Sequence, residues 1–118
     1  MSNSRSDQSI TWYVYVMLCT NDYLYVGISP DPLRRFVDHQ NGKSPFSKMR
    51  RPIELLAFLP AGPHREAAYE ERRLKRQTRD EKLAWVTTVR QSVFWRRLVT
   101  ALGSETVAAD PKLTHFRG

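Results

Sequence analysis

Apolar residues fall in short blocks along the chain, and the spacing inside each block differs from one block to the next. The stretch "TWYVYVMLC" (11–19) is β-branched, aromatic and almost continuously apolar, which predicts a buried central strand. After the polar "TND", "YLYVGI" (23–28) predicts its hairpin partner. A three-residue loop, Thr20-Asn21-Asp22, sets Cys19 opposite Tyr23 and Tyr15 opposite Gly27, and leaves Tyr15 and Tyr25 on one face. A two-residue Asn21-Asp22 loop slips the register by one position and throws the two tyrosines to opposite faces. The longer loop needs a left-handed residue at its last position, which Asp22 tolerates better than most non-glycine residues.

The next block changes period. In "SPDPLRRFVDHQNGK" Asp31 is a suitable N-cap, Pro32 suits the first helical position and Asn41-Gly42 supplies the stop. Leu33, Phe36 and Val37 are expected on the buried stripe of this helix, with Arg35 and His39 sharing a second stripe. A basic loop, "KSPFSKMRRP", leads to a third strand, "IELLAFLP". After Gly62-Pro63, "HREAAYEERRLKR" is helical in composition, with Ala67, Glu71, Leu74 and the stem of Lys75 on overlapping faces. Thr78 followed three positions later by Glu81 fits a capping box and starts a new helix. Farther on, Val86, Val89 and Val93, then Trp95, Leu98 and Leu102, fit one helix bent near Ser92 or two short ones, with Gly103 as a stop. The order strand, strand, helix, strand, helix, helix makes an α/β chain of the α+β type: a small three-stranded antiparallel sheet flanked by helices, with a helical extension at its C-terminal end. The expected division is a disordered polar tail over residues 1–10, a folded unit over 11–86, and an extension and tail over 87–118.

Composition narrows the class. At 118 residues and 41% hydrophobic content, one compact core is expected. A formal charge of +7 and a sequence pI near 10.0 suit a polyanionic partner such as nucleic acid. The lone Cys19 has no internal disulfide partner, and "MSNSRSDQS" lacks the apolar core of a signal peptide, so a cytoplasmic location is the expectation. No apolar run approaches the roughly 18 residues that a membrane span needs. His64, His115 and Cys19 lack metal-ligand spacing, which argues against zinc.

Taken singly, the polar groups are ordinary: two strand tyrosines, a glycine at a bulge or strand end, a solvated Arg35 and His39, and a Glu71 paired with Lys75. Their joint order and spacing resembles the GIY-YIG endonuclease superfamily, in particular its small stand-alone bacterial members, over about residues 12–86. Tyr15 in "YVYVM" corresponds to the first signature tyrosine, and Tyr25-Val26-Gly27 in "LYVGI" to the second signature. Arg35 matches the family's helix arginine, His39 the histidine or tyrosine four positions later, and Glu71 in "EAAYEERRLK" the metal-binding glutamate. Ile28 stands where some larger members carry a lysine, whose role is then absent or moved to Lys43 or Lys48.

The resemblance implies a metal-dependent endonuclease that hydrolyses DNA phosphodiesters by in-line attack of an activated water, with RNA not excluded as substrate. Tyr15, Tyr25, Arg35, His39 and Glu71 are then its catalytic residues. The requirements of the chemistry agree with this set. Arg35 offers a planar fork to phosphate. Glu71 alone suits one hydrated Mg²⁺ or Mn²⁺, because such an ion keeps several waters and completes its shell from substrate phosphate. A tyrosine acting as general base costs about 4 kcal/mol to ionise at neutral pH unless its site lowers the pKa. In a gentler version Tyr25 or Tyr15 only orients the water; His39 could accept a proton, hold a tyrosine hydroxyl or touch phosphate. Gly27, Lys43, Lys48, Arg50 and Arg51 are the expected nucleic-acid contacts. The alternative is a non-catalytic nucleic-acid-binding module on the same scaffold, and residues 87–118 could dock a protein partner.

Overall fold

The structure, a computed structural model, describes residues 10–42 and 51–102. Three strands, β1 (Trp12–Cys19), β2 (Tyr23–Ser29) and β3 (Pro52–Gly62), form one antiparallel sheet in the order β2-β1-β3. Around it lie α1 (Pro32–Gln40), α2 (His64–Lys75), α3 (Arg79–Arg90) and α4 (Val93–Leu102). The near-continuous apolar run of β1 has its cause in this order: the central strand is covered on both faces, and Val14, Tyr15, Val16 and Met17 are all buried.

The hairpin takes the three-residue loop, so Cys19 pairs with Tyr23 and Tyr15 with Gly27. Asn21 and Asp22 both adopt left-handed backbone, with φ of 63° and 62°, where the sequence assigned that conformation to Asp22. A residue 57 positions away holds the strained turn: Arg79 donates to the Asp22 carbonyl at 2.6 Å, and its Nη2 lies 3.4 Å from the Asp22 carboxylate. The register puts Tyr13, Tyr15, Met17, Tyr25 and Gly27 on one sheet face, and Val14, Val16, Leu24 and Val26 on the other.

The Asp31 side chain caps α1 by accepting the Arg34 N–H at 3.2 Å, and Gly42, at φ 70°, follows the helix end. Its buried stripe differs from the expected one. Val37 is 49% exposed, whereas Pro32 and His39 are buried and Leu33 and Phe36 partly so. Each residue turns a helix by about 100°, so a stripe through Pro32, Phe36 and His39 leaves Val37 on the shoulder, and packing on the sheet selected that stripe. On α2, Ala67 and Leu74 face the core.

Thr78 accepts the Glu81 N–H at 3.1 Å while Glu81 accepts the Thr78 N–H at 2.9 Å, which is the expected capping box. Two helices follow rather than one, and α3 runs across position 86. The break falls at Ser92, whose hydroxyl donates to the Val89 carbonyl at 2.6 Å and accepts the Trp95 N–H at 3.2 Å. Phe94 and Trp95 of α4 meet Phe58 edge-on, with ring centroids 6.0 and 5.2 Å away, so this helix closes the sheet face that carries Tyr13 and Tyr15. One extra residue in β3, Leu56, bulges between the partners of Val16 and Met17, and Arg90 donates to its carbonyl at 3.3 Å. None of the described helices is long and apolar enough to cross a membrane.

Candidate active site

Two adjacent strands and the following helix bring three rings together. The Tyr15 and Tyr25 centroids lie 6.1 Å apart, and Tyr25 meets His39 edge-on at 5.3 Å. Tyr15 and Tyr25 are joined by a side-chain hydrogen bond. Ser29 sets the approach from β2 to α1, its hydroxyl accepting the Asp31 N–H at 2.9 Å. The sequence reading did not single out Ser29, although its place two positions before the N-cap is the kind of local signal that could have found it.

Gly27 has a specific reason to be glycine. A Cβ built there would stand 2.5 Å from the Tyr15 Oη and 2.6 Å from its Cζ, so the phenol lies directly over the glycine. Tyr15 is 2% exposed. Burial first, then the neighbouring Tyr25, push its pKa well above the ordinary tyrosine value; Arg35 pulls it down, and Glu71 adds to the rise. Tyr15 therefore stays protonated at neutral pH. The charges of Arg35, on α1, and Glu71, on α2, both bear on this hydroxyl.

His39 is 5% exposed, and its pKa is lowered from the ordinary value by burial and then by Arg35, against an opposing pull from Asp38. The expected pair Arg35 and His39 thus divides, with the imidazole buried against Tyr25 and Arg35 exposed. A depressed histidine pKa makes the unfolded chain bind more protons, so the stability from neutral His39 is fully present above about pH 6.5 and declines as pH falls through the folded value. Urea midpoints between pH 7.5 and 5 are expected to fall more steeply for the native chain than for His39→Gln; parallel curves would show that His39 is not held neutral.

Glu71 is half-buried, and its Oε2 lies 3.2 Å from the Lys75 ammonium. The carboxylate makes this ion pair and also bears electrostatically on the Tyr15 hydroxyl. Among the described residues no three His, Cys, Asp or Glu side chains converge into a metal cage. A single carboxylate such as Glu71 fits a hydrated Mg²⁺ or Mn²⁺ that completes its shell from water and substrate, and does not fit a fully caged ion. Arg51 is exposed beside β3, and its carbonyl accepts the Thr20 N–H at 3.0 Å. Lys43, Lys48 and Arg50 lie outside the described residues.

The chain belongs to the GIY-YIG family: residues 11–84 match the model of the GIY-YIG catalytic domain, which places it in a nuclease superfamily that acts on nucleic acid with divalent metal. Among curated proteins it is similar to a UPF0213 protein of Nitratidesulfovibrio vulgaris, 30% identical over 112 residues that cover 94% of this chain and 100% of the relative. A UPF0213 protein of Cupriavidus necator is 37% identical over 75 residues, covering 63% of this chain and 82% of the relative. One from Vibrio cholerae is 38% identical over 77 residues, 64% and 76% of the two chains. Those names assign no activity. No solved structure matches.

Proposed function

We propose that this protein is an endonuclease that hydrolyses DNA phosphodiester bonds, with Tyr15, Tyr25, Arg35, His39 and Glu71 as its site. The observation that carries the reading is the clustering of the Tyr15, Tyr25 and His39 rings, with the charges of Arg35 and Glu71 bearing on the Tyr15 hydroxyl. In-line hydrolysis needs those parts: a group to aim the water, a group to take its proton, and positive charge on the phosphoryl oxygens.

Arg35, exposed on α1, grips the scissile phosphate through its fork of N–H donors. Tyr15 keeps its proton and fixes the Tyr25 hydroxyl by hydrogen bonding. Tyr25 in turn orients the attacking water. As the new phosphorus–oxygen bond forms, the water's proton passes to the Tyr25–His39 pair, in which the imidazole is the unprotonated base, and the ester oxygen leaves and takes up a proton from solvent. Glu71 would hold a divalent ion, Mg²⁺ or Mn²⁺, which when bound would supply further charge neutralisation at the phosphate. Lys43, Lys48, Arg50 and Arg51 form the phosphate-contacting rim; Gly27, expected among the nucleic-acid contacts, is instead buried beneath the Tyr15 phenol and serves the packing of that ring.

The reading is tested with purified protein and labelled single-stranded, duplex, flap and junction DNA in Mg²⁺ or Mn²⁺. Cut products are expected on at least one substrate. Salt-sensitive binding without a cut on any of them would instead describe a binding module.

A further inference from the structure

The sheet has an outer edge at β2, and the space beside it is neither flat nor neutral. A groove of about 440 Å³ runs between β2 and helices α2 and α3, lined by Tyr23, Leu24, Tyr25, Val26, Lys75 and Lys82. A second hollow of about 240 Å³ shares Tyr23 and Lys82 and continues past the hairpin to Asn21 and Arg79. Both bring lysine and tyrosine together, and Tyr25 of the candidate active site is part of the groove's lining.

The charges along this path are unequally used. Lys75 pairs with Glu71 and Arg79 with Asp22. Lys82 has no carboxylate partner among the described residues. Tyr23 is 39% exposed, a large aromatic surface beside an unneutralised ammonium. Residues two apart on a strand are separated by about 7 Å, a step comparable with one nucleotide of an extended strand. Such a row of aromatic and basic groups matches single-stranded nucleic acid, whose base faces are open to stacking while its phosphates need cations; a duplex hides those faces.

We infer that the β2 edge groove holds an unpaired nucleic-acid strand flanking the scissile phosphodiester, with a phosphate at Lys82 and a base on the ring of Tyr23. This rests on the nuclease reading for the position of the scissile bond, while the groove itself is testable without cutting. It makes substrates with an unpaired strand beside the cut preferred over blunt duplex.

Binding of short fluorescein-labelled oligothymidylate and oligouridylate, followed by anisotropy in chelator, reads the groove directly. Tyr23→Leu keeps the bulk and removes the aromatic face, and is expected to weaken binding about tenfold. Lys82→Gln is expected to weaken it severalfold and to lower the salt slope by about 0.7, one phosphate contact on a single strand. In cleavage assays both variants raise KM and leave kcat unchanged. Thermal unfolding close to wild type confirms that each variant is folded. Whichever oligonucleotide binds more tightly identifies the strand as DNA or RNA, and either supports the groove. Wild-type cutting with unchanged strand binding by both variants overturns the groove and leaves the nuclease reading standing. Weakened binding by both, with no cutting by the wild type, keeps the groove and overturns that reading. Absence of binding by the wild type, or blunt duplex bound as tightly as single strands, overturns the groove.

Discussion

Replacing Glu71 by alanine is expected to remove metal-dependent cutting, by at least about a hundredfold to a thousandfold, while leaving the fold almost unchanged. The magnitude follows from losing the ion's protein ligand, since the charge that a bound metal places on a phosphoryl transition state is worth several kcal/mol. The small structural cost follows from the ion pair that disappears with it. Lys75 is 54% exposed and Glu71 21% exposed, and solvent-screened pairs of this kind contribute about 1 kcal/mol or less. Removing the carboxylate also relieves an effect that raises the Tyr15 pKa. Cleavage rates and urea midpoints, measured on the same preparations, separate the two effects. Undiminished cutting by Glu71→Ala would place the metal elsewhere.

Gly27→Ala is expected to act in the opposite sense, through the fold. The added methyl meets the Tyr15 phenol at 2.5–2.6 Å, and that ring is enclosed, so the collision cannot be relieved by swinging into solvent. Overpacking of this kind costs about 1–3 kcal/mol, and movement of Tyr15 also breaks its hydrogen bond with Tyr25. Activity therefore falls together with stability. In a Tyr15→Leu background the extra cost of Gly27→Ala shrinks, because the phenol is gone; a double-mutant cycle with no coupling would contradict the contact.

This contact shows where the sequence stops being legible. The spacing of Tyr15, Tyr25 and Gly27 located them and gave their common face, because a hairpin loop sets the register of everything beside it. It did not say what fills the space over Gly27, since the occupant comes from the neighbouring strand. Local signals did equally well at the ends of helices: Asp31, Asn41-Gly42 and the Thr78–Glu81 capping box are formed by residues within a turn of one another. The face of α1 was only half legible. Val37 and His39 both suit a helix flank, and the sheet beneath decided that the histidine turns inward against Tyr25.

Contacts between distant residues were not legible. Arg79 steadies the hairpin from 57 positions away, and Arg90 reaches the Leu56 bulge from 34 away. The last helix gave a periodic pattern but no target. Its Phe94 and Trp95 find Phe58, and through it the face that holds the candidate site. For Glu71 the plain structural reading holds, since it pairs with Lys75, while its charge also bears on Tyr15.

The central claim is that the Tyr25 hydroxyl, held by Tyr15 and set against His39, directs water at a phosphodiester. Single-turnover cleavage of the best-cut DNA by wild type and by Tyr25→Phe, with enzyme above its Kd, tests it most directly. Loss of a hydroxyl that aims or accepts from the nucleophile is expected to slow the cut by about a hundredfold or more with binding retained. Equal rates for the two proteins would contradict the account.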